Sequence, residues 1–222
     1  MPNRAPWTVP RRVHLQHGAQ RRDRATRGRA SPTIRVAIVD DHPALHTGLA
    51  TILAGDPEMR HVGTADGDED LWPLLRRAIP DVVLVSSGDR PAEAIHLCLS
   101  IAAQTRGPRA VLYGPSSEDG AAVVAASLAG VSGVVASASP ASKLLATVRV
   151  AARLPQSTPP VSLRMKREAA AMLDPADHAI LAMRLAGEPA AAIGDTLGVP
   201  ATMVWDRLSE MIDRLETAGV AA

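Results

Sequence analysis

The sequence predicts an α/β fold with a doubly wound, five-stranded parallel sheet, followed by a small all-α helix-turn-helix domain. First, five short apolar runs alternate with amphipathic stretches of helix length after Thr33. Second, this alternation stops at residues 154–163, which hold three prolines and no charge. Third, short helical segments follow, and Leu-Gly-Val at 197–199 supplies a tight turn between the last two.

Each predicted element follows from its local pattern. Parallel strands covered on both faces are continuous apolar runs, which predicts strands at 34–39, 62–65, 82–85, 110–113 and 133–135. Parallel neighbours need crossover helices, and the amphipathic stretches predict them at 43–54, 69–78, 91–104, 120–129 and 140–153. Beyond the proline-rich stretch, helices are predicted at 164–172, 175–186, 189–197 and 200–215.

The composition indicates a protein of the cytoplasm. The chain has 222 residues, 46% of them hydrophobic, which is enough to bury a core in one or two domains. Aromatic residues make up only 2%, which argues against stacking platforms for single-stranded nucleic acid. Cys98 is the single cysteine, so it is expected to be a small buried side chain in a reducing compartment. No apolar run approaches the roughly 18 residues of a membrane span.

The first 33 residues are predicted to be a disordered basic tail. They hold eight Arg and one Asp, a formal net charge of +7, with no periodic apolar pattern. Such a tail would add nonspecific attraction to DNA phosphates. The alternatives are a solvated tail without function, a misplaced start codon, or an Arg-rich transit peptide.

Two sets of motifs resemble the NarL/LuxR-type response regulators. Val36–Pro43, Pro80–Leu84 and Ala129–Gly133 look like the receiver domain of that family. Leu173-Asp174-Pro175 and the frame from Ile193 to Leu215 are similar to its output domain. The resemblance covers roughly residues 33–216. It implies a flavodoxin-like receiver domain over 34–153, a linker over 154–164, and a LuxR-type DNA-binding domain over 165–222.

The resemblance assigns the phosphate-receiving position to Ser86. In the family, an acidic pair after the first strand holds Mg²⁺, and an Asp ending the third strand accepts a phosphoryl group from a histidine kinase. Here the pair is present as Asp40 and Asp41, but a hydroxyl replaces the acceptor carboxylate. A serine hydroxyl is a poor nucleophile without a base. Ser87 does not restore the carboxylate, and Asp89 would need a changed loop to reach the same point.

The positions that read the phosphate in the family are also changed. Gly114 stands for the Ser or Thr after the fourth strand, Ser137 for the Lys after the fifth, and Val134 for the aromatic residue on the fifth. We therefore predict a pseudo-receiver that phosphorylation does not operate. Mg²⁺ at the acidic pair is then not expected to be functional. The alternative interpretation of the pair is structural, with Asp41 or His42 capping the following helix.

The resemblance places DNA contacts on the last helix, at Trp205, Arg207, Ser209 and Arg214. Trp205 replaces a lysine of the family and has two interpretations, stacking on a sugar or facing a protein partner. The region is acidic, because residues 161–222 hold six basic and nine acidic side chains. The family's short final pairing helix is expected to be missing after Leu215.

Two functions from different classes follow. The first is a phosphorylation-independent transcription regulator of the cytoplasm that binds DNA. The second is an interaction protein that has lost DNA binding and scaffolds or titrates a related regulator. Pairing with a second copy or with a related regulator is expected through the fourth and fifth helices of the receiver-like domain. An enzyme is not predicted, because no nucleophile and base, or set of metal ligands, is evident.

Overall fold

The computed structural model describes residues 33–104, 106–114, 120–154 and 158–220, with side chains up to residue 217. All of these residues belong to one compact unit. The predicted basic tail, residues 1–33, lies outside the described residues apart from Thr33. In the described part of the chain, no helix combines the length and the apolar character that crossing a membrane requires.

Five parallel strands form a single sheet in the part of the chain that the structure describes. They are β1 (Ile34–Val39), β2 (Met59–Ala65), β3 (Val82–Ser86), β4 (Arg109–Tyr113) and β5 (Gly133–Val135). The strand order is β2-β1-β3-β4-β5, the flavodoxin-like order, which confirms the predicted fold class. β2 begins three residues before the prediction, because Met59 pairs with Ile34 at the start of the sheet.

In the described ranges, five helices connect or follow the strands, and four more come after them. The first set is α1 (Pro43–Ala54), α2 (Asp68–Ala78), α3 (Pro91–Ala102), α4 (Gly120–Leu128) and α5 (Ala141–Arg153). The second set is α6 (Leu163–Met172), α7 (His178–Leu185), α8 (Ala190–Leu197) and α9 (Ala201–Val220). The predicted boundary at 153 coincides with the end of α5, whereas the predicted boundary at 165 lies inside α6, which begins at Leu163.

The predicted helix over 175–186 is split in the structure. A 3-10 turn over Pro175–Asp177 precedes α7, and the Asp174 side chain caps it by accepting a hydrogen bond of 2.9 Å from the Ala176 amide. The last helix also runs five residues beyond the predicted end at Leu215. The apolar pattern stops at Leu215, but the helical backbone continues to Val220.

The sheet has an apolar layer on each face. One face packs Ile34, Val36 and Ile38 against α1 and α5. The other packs Val83 and Val85 against α2, α3 and α4, and the same cluster continues into α6–α9.

Helix α4 lies in the middle of this second layer. From Ala122 to Leu128, every side chain except Val123 is buried, since α6, α7 and α9 cover the helix from outside. A helix that is apolar all round is expected to be enclosed in this way. Pairing with a partner through α4 is therefore blocked in this conformation, which leaves α5 as the exposed part of the predicted pairing surface.

Candidate receiver site and candidate DNA-binding helix

A cleft of about 510 Å³ opens at the carboxyl ends of β1 and β3. In open parallel sheets, ligands bind outside this edge. The cleft extends between α2 and α3, and the residues that line it include Asp40, Asp41, Ser86, Asp89 and Arg90. The structure thus brings the acidic pair and the predicted acceptor position into one cleft.

The two acidic side chains have different surroundings. The Asp40 side chain is fully buried, and its Oδ1 accepts a hydrogen bond of 2.6 Å from the His42 amide. Its Oδ2 is buried without a hydrogen-bond partner among the described residues. Asp41 is half-exposed, with its Oδ1 2.7 Å from Nδ1 of His42 and its Oδ2 accepting a bond of 3.1 Å from Arg90. Partial desolvation opposes ionisation of Asp41, but Arg90 and His42 outweigh it and lower the pKa of Asp41.

The proposed capping role of Asp41 or His42 is wrong. His42 is the N-cap residue of α1, but its side chain makes no capping hydrogen bond. The imidazole instead lies against the carboxylates of Asp40 and Asp41, at 3.4 and 2.7 Å, which draws it away from the helix amides. Pro43 does occupy the first turn of α1, where a missing N–H costs nothing.

Ser87 lies close to Gly114, the position where the resemblance predicts a phosphate-reading hydroxyl in the family. Ser86 is half-buried at the end of β3, opposite Tyr113. Ser87 is buried, and its amide and hydroxyl donate to the Tyr113 carbonyl at 2.8 and 3.5 Å. Gly114 has φ +145°, and a Cβ added there would overlap the Ser87 hydroxyl oxygen. No larger residue fits at 114 while Ser87 keeps its position.

The side chains at the other two altered positions, Val134 and Ser137, are uncharged. Val134 is half-buried on β5 and packs against the core. Ser137 is exposed in the turn between β5 and α5. Among the described residues, one group of three side chains brings potential metal-ligand atoms close together: Asp40, Asp41 and His42. Asp89 is exposed and does not belong to this group.

Helices α8 and α9 are joined by a short turn at residues 198–200. Gly198 ends α8 in the left-handed conformation, with φ +70°, which glycine adopts without strain. Gly194 faces the turn so closely that an added Cβ would lie 2.7 Å from the Val199 carbonyl oxygen. A small residue at 194 therefore allows the two helices to meet.

One side of α9 is buried and the other is acidic. Its fully buried side chains, which pack among α3, α4, α6 and α8, are Val204, Leu208, Met211, Ile212 and Leu215. Its exposed side chains up to residue 217 are Thr202, Met203, Asp206, Glu210, Asp213, Arg214 and Thr217. The surface that α9 offers to solvent in this conformation thus has three carboxylates and one guanidinium.

The predicted DNA-contacting arginines bind an internal carboxylate. Arg207 donates from Nε and Nη2 to Oδ1 of Asp177, at 2.9 and 2.5 Å, and from Nη1 to Glu210 at 2.9 Å. The hydrogen bonds and charge of Asp177 raise the pKa of Arg207. Arg214 lies 3.6 Å from Oδ2 of Asp177, whose side chain is only 1% exposed. Both arginines therefore pair with a buried carboxylate of the C-terminal helices.

Ser209 faces α3 of the receiver-like part. Its hydroxyl lies 3.4 Å from Nδ1 of His96, and Nε2 of His96 lies 2.7 Å from Oδ1 of Asp213. This pair of contacts ties α9 to α3.

Trp205 also faces the interior of the chain. Its ring centroid is 5.5 Å from Cζ of Arg184, a distance typical of a cation–π contact. Arg184 is buried, with Nε donating to the Leu128 carbonyl at 2.9 Å and Nη1 to that of Glu188 at 3.2 Å. Sequence reasoning missed Arg184, since an arginine on a short amphipathic helix has no signal of burial. The predicted DNA contacts of Trp205, Arg207, Ser209 and Arg214 stay predictions.

Comparisons with known proteins agree with the fold. No protein-family model matches the chain. The response regulator GacA of Pseudomonas aeruginosa is 44% identical over 52 residues, 23% of this chain and 24% of that protein. The DNA-binding transcriptional activator DevR/DosR of Mycobacterium tuberculosis is 30% identical over 102 residues, 46% of each protein. The chain thus spans less than half the length of either relative.

Among solved structures, the RcsB response regulator of Salmonella typhimurium is similar to this chain. The TM-score is 0.52 at 18% identity, and the match covers 83% of this chain and 92% of that one. At this identity, the likeness is evidence of the fold. The chain has the receiver fold of response regulators, followed by additional helices.

Proposed function

We propose that this protein is a transcription regulator of response-regulator type that works without phosphorylation and binds DNA through α8 and α9. The observation that carries the proposal is that α8 and α9, joined by a short turn, follow a receiver fold whose third strand ends at Ser86. DevR/DosR, a relative over 46% of this chain, is a DNA-binding transcriptional activator. We propose that this protein binds DNA as well.

Three features of the cleft support independence from phosphorylation. No side chain among the described residues hydrogen-bonds to Ser86, so its hydroxyl lacks a base. The Ser87 hydroxyl occupies the space that a phosphate-reading side chain at Gly114 would need. Arg90 supplies a positive charge to Asp41 from within the chain.

The same residues suit a resident Mg²⁺ poorly. A hard divalent cation takes several oxygen ligands, and the unpartnered Oδ2 of Asp40 is one such ligand. Ser86 stands where a third carboxylate would be needed, and the Arg90 guanidinium already pairs with Asp41. We therefore propose that Mg²⁺ has no functional role in this protein.

The proposal requires the C-terminal helices to move before DNA is bound. Recognition helices present hydrogen-bond donors to base edges and cations to phosphates. In the described conformation Ser209 faces His96, and Arg207 is paired with Asp177. We infer that this conformation is a closed state, and that separation of α9 from α3 and α4 exposes the DNA-binding side.

A promoter-binding experiment tests both parts of the proposal. Genomic DNA fragments bound by the full chain are sequenced, and the binding is repeated with His96→Ala, which removes the contacts of α3 with Ser209 and Asp213. The matched control is His61→Ala, which removes a histidine of β2 that contacts Thr64. We expect discrete promoter fragments, bound more tightly by His96→Ala than by wild type or the control. No enriched fragment with any of the three proteins would reject DNA binding.

A phosphorylation experiment is independent of DNA. The protein is incubated with a small phosphodonor and Mg²⁺, and its intact mass is measured before and after treatment with base. We expect no adduct. A base-labile phosphoryl adduct would overturn the proposed independence from phosphorylation.

The acidic surface of α9 favours a second candidate function. Asp206, Glu210 and Asp213 are exposed and would repel phosphates, and Asp177 neutralises Arg207. These charges suit an interaction protein that scaffolds or titrates a related regulator. Recovery of a stoichiometric, DNA-free complex with another regulator from cells, with no promoter enrichment, would favour this candidate over DNA binding.

A further inference from the structure

A second pocket lies where the receiver-like part meets the C-terminal helices. Its volume is about 350 Å³, near the lower end of the range for small-molecule sites, roughly 300–1,000 Å³. One wall is formed by residues 101, 102, 104 and 106–110 together with Gly130, and the other includes Arg184, Ala190 and Trp205. It lies at the amino-terminal end of β4, opposite the edge of the sheet that holds Ser86.

The pocket is strongly positive. Arg106, Arg109 and Arg184 line it, and none of its lining residues is Asp or Glu. None of the three arginines has a carboxylate partner in the described ranges, whereas Arg90, Arg149 and Arg207 all do. Three guanidinium groups around an uncharged cavity attract an anion, and the planar fork of arginine matches a phosphate group.

Arg184 is held in place from both sides of the pocket. It belongs to α7 but donates from Nε to the Leu128 carbonyl at the end of α4, at 2.9 Å, and it is only 9% exposed. Burial lowers the pKa of its guanidinium. Gly130, with φ +80°, leaves room for Nη2, since an added Cβ would overlap this nitrogen. A buried cation without a counter-ion is costly, and an anion in the pocket would offset that cost.

We propose that this pocket binds a small phosphate-bearing ligand, with the phosphate among the three arginines and an apolar or aromatic portion against Trp205. The Trp205 ring is part of the lining and lies 5.5 Å from the Arg184 guanidinium carbon. The volume admits a mononucleotide or a smaller phosphate ester. Inorganic phosphate would use the same arginines without the contact to Trp205.

Binding in this pocket would hold the protein closed. The walls come from both parts of the chain, so the complete site exists only while α7 and α9 pack against α4. A ligand that binds one of two conformations shifts the population toward it by its difference in affinity. The ligand would therefore weaken DNA binding, a consequence that rests on the proposed function.

Titration calorimetry on the full chain, without DNA and at constant ionic strength, tests the site directly. The probes are AMP, inorganic phosphate and adenosine. The variant Arg106→Gln/Arg109→Gln removes two charges from exposed pocket positions and leaves Arg184 in its packing. Arg76→Gln/Arg77→Gln, on the exposed side of α2, is the control with the same loss of charge.

We expect saturable binding of AMP or phosphate, weakened about tenfold or more in the pocket variant, since two guanidinium groups that donate charge-assisted hydrogen bonds to the phosphate are lost. The control should bind within about twofold of wild type, and adenosine should not bind. The site is rejected if neither anion binds, if both double variants bind alike, or if adenosine binds as well as AMP. Because no DNA is present, failure to find a promoter leaves this result intact.

The effect of the ligand on DNA binding is measured in a separate experiment. On a promoter fragment found in the binding experiment, saturating AMP or phosphate should weaken binding of wild type but not of the pocket variant. Equal DNA binding with and without a bound ligand would overturn the regulatory role.

Discussion

Replacing Gly114 by alanine tests whether Ser87 fills the phosphate-reading position. At φ +145°, a residue with a side chain is strained, at a cost of order 1–3 kcal/mol. The added Cβ also overlaps the Ser87 hydroxyl oxygen and lies 3.3 Å from its Cβ, and overpacking of this kind costs about 1–3 kcal/mol. We therefore expect Gly114→Ala to lower the free energy of unfolding by about 3 kcal/mol.

A double-mutant cycle separates the two contributions. Ser87→Gly removes the hydroxyl and the Cβ, so Gly114→Ala in that background should cost only its backbone strain. The expected coupling is about 1–2 kcal/mol, within the range measured for residues in contact. The assay is urea unfolding followed by circular dichroism, with the slope checked for two-state behaviour.

Gly48 provides the matched control. It lies on the exposed side of α1 with no atom within 4 Å of an added Cβ, so Gly48→Ala should stabilise the protein by about 0.5–1 kcal/mol. An unfolding free energy for Gly114→Ala within about 0.5 kcal/mol of wild type would refute the reasoning. So would an equal cost in both Ser87 backgrounds.

Three further predictions concern Arg207, Cys98 and Ser86. Arg207→Ala should lower the melting temperature more than Arg164→Ala, because Arg207 pairs with a buried carboxylate and Arg164 with an exposed one; equal melting temperatures would contradict this. Burial raises the pKa of Cys98 to about 12 from 9.0, so the folded protein keeps the thiol protonated and loses stability as pH rises above 9.0. Cys98→Ala should lessen that loss in unfolding experiments, and an unchanged pH profile would count against it. Ser86→Asp alone should not give a stable phosphoryl adduct by mass measurement, because Gly114 still lacks a hydroxyl; stoichiometric labelling would disprove this.

Experiments on Arg207 need to separate a contact with DNA from its stabilising contact with Asp177. Loss of DNA binding in Arg207→Ala could follow from a missing phosphate contact or from the loss of its bonds to Asp177. Melting temperature and DNA affinity therefore need to be measured on the same variant. A fall in affinity without a fall in stability would assign Arg207 to the DNA contact.

Much of the fold could be predicted from local patterns. The strand Ile34–Val39 and the helix Pro43–Ala54 have the predicted bounds, because a continuous apolar run and a proline in a first helical turn act over a few neighbouring residues. Ser86 and the acidic pair were also predicted to share one edge of the sheet, since parallel strands end together. The 3-10 turn before α7 was not predicted. Asp174 caps this turn, and the α-helix begins only at His178.

The sequence by itself determined the alternation of five strands with helices, the glycine turn at 197–199 and the serine at position 86, because these depend on periodicity and residue type. Only the tertiary structure decided that Arg90 pairs with Asp41, that Ser87 fills the space beside Gly114, and that Arg184 bonds to Leu128. These partners are 27 to 56 residues apart in sequence. The apolar stripe of α9 predicts that one side of the helix is buried, but it does not identify the elements that cover this side. The hydrophobic effect depends on the apolar area removed from water and is not directional.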